Sequence, residues 1–243
     1  MKISIINYSG TVGKTTLAVN LFQPRMNDAQ IISVESVNES VKEWGAESEK
    51  LRGSQFKEIF SRIIMLEDVI VDVGSSNVES FLDGMLKYEG SNLEFDFYII
   101  PVTPGTKTQK EALSMLLTLT KYEIPNEKIK LIYNRVERDV ENEFPIIKKF
   151  VIENPFWEFN NNHAVMENEL FDLLSTKKMS ISQLVSEETD YRQELRNLPN
   201  DADKAEYKRL IDLYTMSRLS LSVNRNLNNV FHNVFGAEYE PEN

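Results

Sequence analysis

The chain contains no cysteine and only two histidines. That excludes a disulfide framework and a thiolate metal site, and leaves little material for a zinc centre. No apolar run approaches the ~20 residues a membrane-spanning helix needs. The N-terminus enters an apolar strand pattern at once, so no secretory signal is expected and the chain reads as cytoplasmic and soluble. Positive charge is also scarce: 27 Lys and Arg stand against 38 Asp and Glu, a net charge of −11. Such a chain is repelled by nucleic acid and anionic lipid unless a local basic face overrides the balance. There is no internal repeat and no low-complexity tract.

What is present suffices for one sizeable α/β domain with an appendage, since 243 residues are 41% hydrophobic. The informative stretch is Lys2 to Leu21. Ile3, Ile5 and Ile6 read as a buried strand. A loop from Asn7 to Gly13 follows, with Gly10 and Gly13. Then come Lys14, Thr15 and Thr16 and the helix-forming Leu17, Ala18, Val19 and Leu21. A strand, a glycine loop, Gly-Lys-Thr and a helix make a phosphate-binding loop in its expected context. Backbone N–H groups and a helix N-terminus would hold an anion, Lys14 would reach the β- and γ-phosphates, and the Thr15 hydroxyl would bind Mg²⁺. Tyr8 stands where the usual pattern has its first glycine, and the competing explanation is a chance Gly-Lys-Thr.

Further along, Gln30 to Val34 reads as a second strand with Glu35, Ser36, Val37 and Asn38 past its end. Phe56, Ile59, Phe60, Ile63 and Ile64 have helical spacing. Val69 to Val73 is a buried strand carrying Asp72, followed by Gly74, Ser75 and Ser76. An acid there either supports Mg²⁺ or caps a turn. Val78 to Tyr88 reads as a helix, Phe95 to Val102 as a strand stopped by Pro101 and Pro104, and Lys107 to Tyr122 as an amphipathic helix. Ile129 to Tyr133 is a strand ending in Asn134 and Arg135, and Asn134 either reads a base edge or steadies a turn. Phe144 to Ile152 reads as a helix broken by Pro155. Phe156 to Phe159 looks like a last short strand before an Asn160-Asn161-Asn162 turn, with His163 exposed in the loop and a helix from Val165 to Leu174. Strands alternating with helices imply a parallel sheet with right-handed crossovers.

After Ser175 no strand is evident. Ile181 to Leu198 is a helical stretch, Pro199-Asn200-Asp201 a turn and cap signal, and Asp203 to Phe235 one long helix. That helix is locally basic, and Arg218 and Arg225, seven apart, share a face. They are either solvated surface or a contact for DNA or an acidic partner. The tail from Ala237 to Asn243 is expected to be disordered.

The order SGTVGKTT, VIVDVGSS, DFYIIPVTP, LIYNRV and FWEF-NNN resembles the deviant Walker-type ATPases that include plasmid partition ParA proteins and the cell-division regulator MinD. The likeness spans about residues 1–175, with residues 176–236 as a helical extension, and the small size looks most like the plasmid stability members. The resemblance implies a three-layer P-loop NTPase, α/β, with a mostly parallel central sheet and a helical C-terminal extension. It implies ATP or ADP with Mg²⁺, and a homodimer closing face to face around ATP. By position, the loop Gly10-Thr11-Val12-Gly13 with Lys14, Thr15 and Thr16 would hold phosphates and Mg²⁺. Asp72 would support Mg²⁺, Asn134 would face adenine, and the backbone after Phe159 would close over the base. Ser9 replaces the family's signature lysine, Thr11 its second loop glycine, and Glu35 and Val37 stand where it often has two acids, so catalysis would rest on Lys14, Asp72 and Glu35.

The expected function is an ATP-dependent switch in plasmid partition, stability or positioning that hydrolyses slowly and engages a plasmid-encoded partner protein or DNA. The rivals are a non-hydrolysing nucleotide-bound adaptor and a small-molecule kinase or ligase of the same fold.

Overall fold

The computed structural model describes residues 1–27, 29–35, 48–199 and 201–236. Seven strands form one sheet in the order β3-β2-β4-β1-β5-β6-β7, and every pairing is parallel. They are β1 (Lys2–Ile6), β2 (Gln30–Val34), β3 (Ser48–Leu51), β4 (Val69–Val73), β5 (Phe97–Val102), β6 (Ile129–Val136) and β7 (Ala164–Met166). Alternate residues of each central strand enter opposite cores, as the two-residue period of a strand requires. Val69, Val71, Val73, Tyr98 and Ile100 face one core, while Ile3, Ile5, Ile70, Ile99 and Ile132 face the other.

The first core is covered by α2 (Phe56–Met65), α3 (Val78–Lys87), α4 (Thr106–Lys121), α5 (Val140–Glu143) and α6 (Pro145–Glu153). In α2 the buried residues are Phe56, Ile59 and Ile63, an amphipathic stripe. Gly84 is required there, because any Cβ would run into the Phe56 ring. The second core lies under α1 (Lys14–Leu17, continuing as a π turn Ala18–Phe22 and a 3₁₀ turn Gln23–Arg25), α7 (Leu170–Lys177), α8 (Ile181–Ser186) and α10 (Lys204–Phe235). The short α9 (Tyr191–Asn197) connects the last two. Layers of helix, sheet and helix result. Asp203 caps α10 by accepting from Ala205 N, and Gly236 at φ 79° ends it. Among the described residues no helix is long and apolar enough to cross a membrane.

Arg25 joins α1 to α10. Its guanidinium is 8% exposed and donates to Asn228 Oδ1, to Asn224 O and Oδ1, and to the carbonyls of Asn20 and Leu21. Burial pulls its pKa down to about 10, and it remains charged at neutral pH. Asn20 Oδ1 also accepts from Ile181 N at 2.9 Å, so α8 is tied to the same helix.

Several sequence expectations are corrected. The last strand is Ala164–Met166, not Phe156–Phe159: β6 pairs Tyr133 with Ala164, and Phe156 is 84% exposed. The helix expected from Val165 begins at Leu170. His163 is buried, not exposed, with Nδ1 3.1 Å from Leu131 O and Nε2 3.2 Å from Asn233 O. Pro101 does not stop β5. Pairing with β1 has ended at Ile99, and the Asn7 side chain takes the Pro101 carbonyl at 2.7 Å, so the missing N–H leaves no gap in the ladder. The polar edge strand β3 was not foreseen. The stretch from Ile181 to Leu198 divides where Asp190 caps α9, and the cap before α10 is Asp203, not the Pro199-Asn200-Asp201 turn. Ser36, Val37, Asn38, Asn200 and the tail 237–243 lie outside the described residues.

Two outcomes test these contacts. Replacing Arg25 with methionine strands the Asn224 and Asn228 acceptors and should cost about 2–3 kcal/mol. The midpoint of thermal unfolding should fall by roughly 5–10 °C, whereas Arg225→Met on the exposed face should leave it nearly unchanged. Burial holds His163 below its ordinary pKa of 6.5. Its contribution is therefore complete above that pH and lost as pH falls toward the lowered folded value. Wild-type protein should lose more stability between pH 7.5 and 5.5 than His163→Gln does.

Candidate functional site

The site lies at the carboxyl edge of the sheet, where parallel strands leave a crevice. Beyond Ile6 the chain turns through Asn7 to Gly13, and α1 starts at Lys14. Asn7 organises the turn, accepting from Ser9 N at 3.0 Å while its amide donates to Pro101. Tyr8, at the position of the usual first glycine, reaches α4 and hydrogen-bonds Thr118 Oγ1 at 3.1 Å. Gly13 sits at φ 80°, and a Cβ there would lie 2.5 Å from Asn134 Nδ2. A side chain would therefore be strained by conformation and by contact alike.

Lys14 folds back over the loop, and its ammonium donates to Ser9 O at 2.6 Å and to Asn7 O at 3.3 Å. Ser9 is buried and offers no cation to the exterior. Thr15 Oγ1 donates to Asp72 Oδ2 at 2.6 Å. The sheet register makes this bond, because β1 pairs Ile5 with Asp72 and delivers the acid beneath the start of α1. Asp72 is 2% exposed. Burial raises its pKa, opposed by the Thr15 hydrogen bond and by the Lys14 charge.

Two adjoining hollows open here. One of about 360 Å³ is lined by Gly10, Lys14, Thr15, Glu35, Asp72 and Ser75 among others. The second, about 180 Å³, is lined by Asn134, Met166, Glu167, Phe171, Asp172 and Ser175. Gly13, Thr16 and Arg135 line both. The first has the donors and the carboxylate–hydroxyl pair that a phosphate chain and a divalent cation need. The second is mostly polar, with an amide from Asn134 and two apolar side chains, Met166 and Phe171, against which a flat heterocycle could lie.

Most residues picked from sequence converge: Gly10, Thr11, Gly13, Lys14, Thr15, Thr16, Glu35 and Asp72 share the larger hollow. Val12 is fully buried beneath it and presents its carbonyl to Asn134. Asn134 lines the smaller hollow, yet its amide also donates to Val12 O at 2.9 Å and accepts from Arg135 N at 3.0 Å. It therefore props the loop, the turn-steadying alternative, while also lining the hollow. The backbone after Phe159 does not close the smaller hollow. Met166 at the end of β7 and Glu167 just after it do so, while Phe159 packs on Tyr133 with ring centroids 5.3 Å apart. Sequence reasoning missed Met166, Glu167 and Phe171, since a three-residue strand leaves no periodic signal. Arg218 and Arg225 lie far along α10, both exposed, with Arg218 over the Tyr214 ring at 5.4 Å.

No family profile and no curated protein matches the chain. Solved structures do. MinD of Aquifex aeolicus in complex with MinC has 13% sequence identity and a TM-score of 0.53 over 90% of this chain and 95% of that one. MinD of Pyrococcus horikoshii complexed with Mg-ADP has 13% identity and a TM-score of 0.47 over 92% and 98%. ParA of pNOB8 has 12% identity and a TM-score of 0.49 over 96% and 98%. The sheet and its flanking helices share the fold of the Aquifex MinD structure.

Asp72→Asn should separate the site from the fold. The amide oxygen still accepts from Thr15, and the buried charge is gone. Because the folded pKa is raised, charged Asp72 costs stability as pH rises through it. Calorimetry at pH 7.5 should show the variant more stable by about 0.5–2 kcal/mol. A less stable variant would show that the carboxylate is structural.

Proposed function

We propose that this chain is an ATP-binding, slowly hydrolysing nucleotide switch of the ParA/MinD type. The observation that carries the reading is the Thr15–Asp72 bond at the mouth of a Gly-Lys-Thr loop, on the carboxyl edge of a parallel sheet. On this reading Gly10, Thr11, Gly13, Thr16 and Lys14 bind the phosphates, and the base enters beside Asn134. Thr15 and Asp72 would hold Mg²⁺, which when bound neutralises charge on the phosphates. Glu35 reaches the same hollow past the end of β2 and would orient the attacking water.

Slow turnover follows from the groups available. Phosphoryl transfer gains much of its rate from cations and a positioned water. Ser9 supplies no charge, and among the described residues Glu35 is the acid that lines the hollow past the end of β2. ATP-bound lifetime then becomes the signal. The segment from Asn77 to Gly105 would shift with the γ-phosphate. Two chains would close over ATP, and a plasmid-encoded partner protein, or DNA through Arg218 and Arg225, would read that state. Within the family the reading is a plasmid stability protein of the StbB kind. The same observations at Ser9 favour one alternative, a nucleotide-bound adaptor that does not hydrolyse.

Titration calorimetry with ATP and Mg²⁺ should give binding that Lys14→Ala weakens by roughly 100-fold or more. Light scattering should give a larger mass with ATP than with ADP, and equal masses would remove the switch. Phosphate release abolished by Lys14→Ala supports the enzyme, and binding without release supports the adaptor. DNA binding through α10, where present, should weaken steeply with added salt.

A further inference from the structure

Arg135 has three properties that the fold does not require. It is the last residue but one of β6 and adopts φ 59°, the left-handed region that non-glycine residues avoid. Among the described residues the other non-glycine left-handed positions are Asn27, Glu123 and Lys178. Each of those follows the end of a helical segment, where such a conformation is the ordinary cap. Arg135 alone lies inside a strand, at the irregularity where the β6–β7 register slips between Asn134 and Val136. Such bulges beside clefts re-aim a side chain.

The second property is place. Gly13, Thr16 and Arg135 line both hollows. A nucleotide with its terminal phosphates at Lys14 and Thr15 and its base beside Asn134 must pass its innermost phosphate between these three. The third is charge. In the larger hollow Lys14 and Arg135 stand against Glu35 and Asp72. Without Arg135 the described lining side chains sum to a negative charge, in a chain whose net charge is already −11. Among the described residues the Arg135 guanidinium forms no ion pair, and the residue is exposed.

We propose that Arg135 is the binding residue for the phosphate nearest the ribose, its strained backbone aiming the guanidinium across the junction of the two hollows. The proposal rests on the nucleotide reading above and adds which phosphate the residue grips. Because ATP and ADP share that phosphate, the residue contributes equally to both, unlike Lys14, which reaches the outer phosphates.

The test compares Arg135→Gly, Arg135→Asn and Arg135→Lys with wild type by titration calorimetry, using ATP, ADP and adenosine with Mg²⁺. Arg135→Gly and Arg135→Asn should weaken ATP and ADP by the same factor, roughly tenfold. Adenosine should be unaffected, and Arg135→Lys should recover part of the loss. Both replacements suit a left-handed backbone, so the unfolding temperature should hold or rise while affinity falls. A merely structural residue would move the two together. Loss for ATP alone would assign Arg135 to the γ-phosphate and overturn the proposal, and unchanged affinity for both would overturn it outright. If wild type binds neither nucleotide, the nucleotide reading itself falls, an outcome distinct from either.

Discussion

A carboxylate almost wholly removed from water, with a threonine hydroxyl 2.6 Å away, is the constraint on which the site depends. Burying an unpaired carboxylate is expensive, and one hydroxyl with a nearby ammonium offsets only part of that cost. The sheet imposes it. Asp72 is a strand residue, paired with Ile5 on one side and Ser33 on the other. It cannot swing out to solvent without breaking two parallel ladders. The crossover that places β1 between β4 and β5 then sets the loop from Asn7 to Gly13 over it. Strand order, register and the acid's position are one arrangement described at three scales.

The same helix that begins at the loop is fastened at its far end. Lys14 opens α1 and Arg25 closes it, and Arg25 is bound to two asparagines of α10. Asn20, between them, holds the start of α8. A change at the loop that rotated α1 would therefore move, or be resisted by, the C-terminal helices. On the opposite face Tyr8 ties the loop to α4 through Thr118. The loop is thus braced from both layers, which compensates for the missing first glycine. A bulky residue there removes a flexible point and replaces it with an anchor.

How much was legible in the sequence follows from where the signals were strong. Val69 to Val73, Gln30 to Val34 and the loop with its helix were readable, because long apolar runs and glycine spacing carry mechanism. The 32-residue helix Lys204–Phe235 was readable because its apolar positions repeat in steps of three and four. β3, Ser-Glu-Lys-Leu, was not, since an edge strand open to water carries no apolar run. Phe156, Trp157 and Phe159 imitated a strand through aromatic content, yet β7 is Ala-Val-Met, fixed by its pairing with β6. His163 was misjudged for the same reason: its partners, Leu131 and Asn233, lie 32 and 70 residues away. Arg135 illustrates the deeper limit, because no propensity announces an arginine in a left-handed conformation.

Several polar groups of the site engage one another. The Lys14 ammonium is held by the carbonyls of Asn7 and Ser9, Asp72 by Thr15, and the Asn134 amide by Val12 and Arg135 N. Binding an anion there is an exchange of partners, not the filling of an open cradle. Each exchange returns less free energy than a new bond, because a formed hydrogen bond is given up. On the nucleotide reading proposed above, the consequence would be moderate affinity. A switch of the kind proposed, whose bound and free states must both persist long enough to be read, would need moderate affinity more than tight capture.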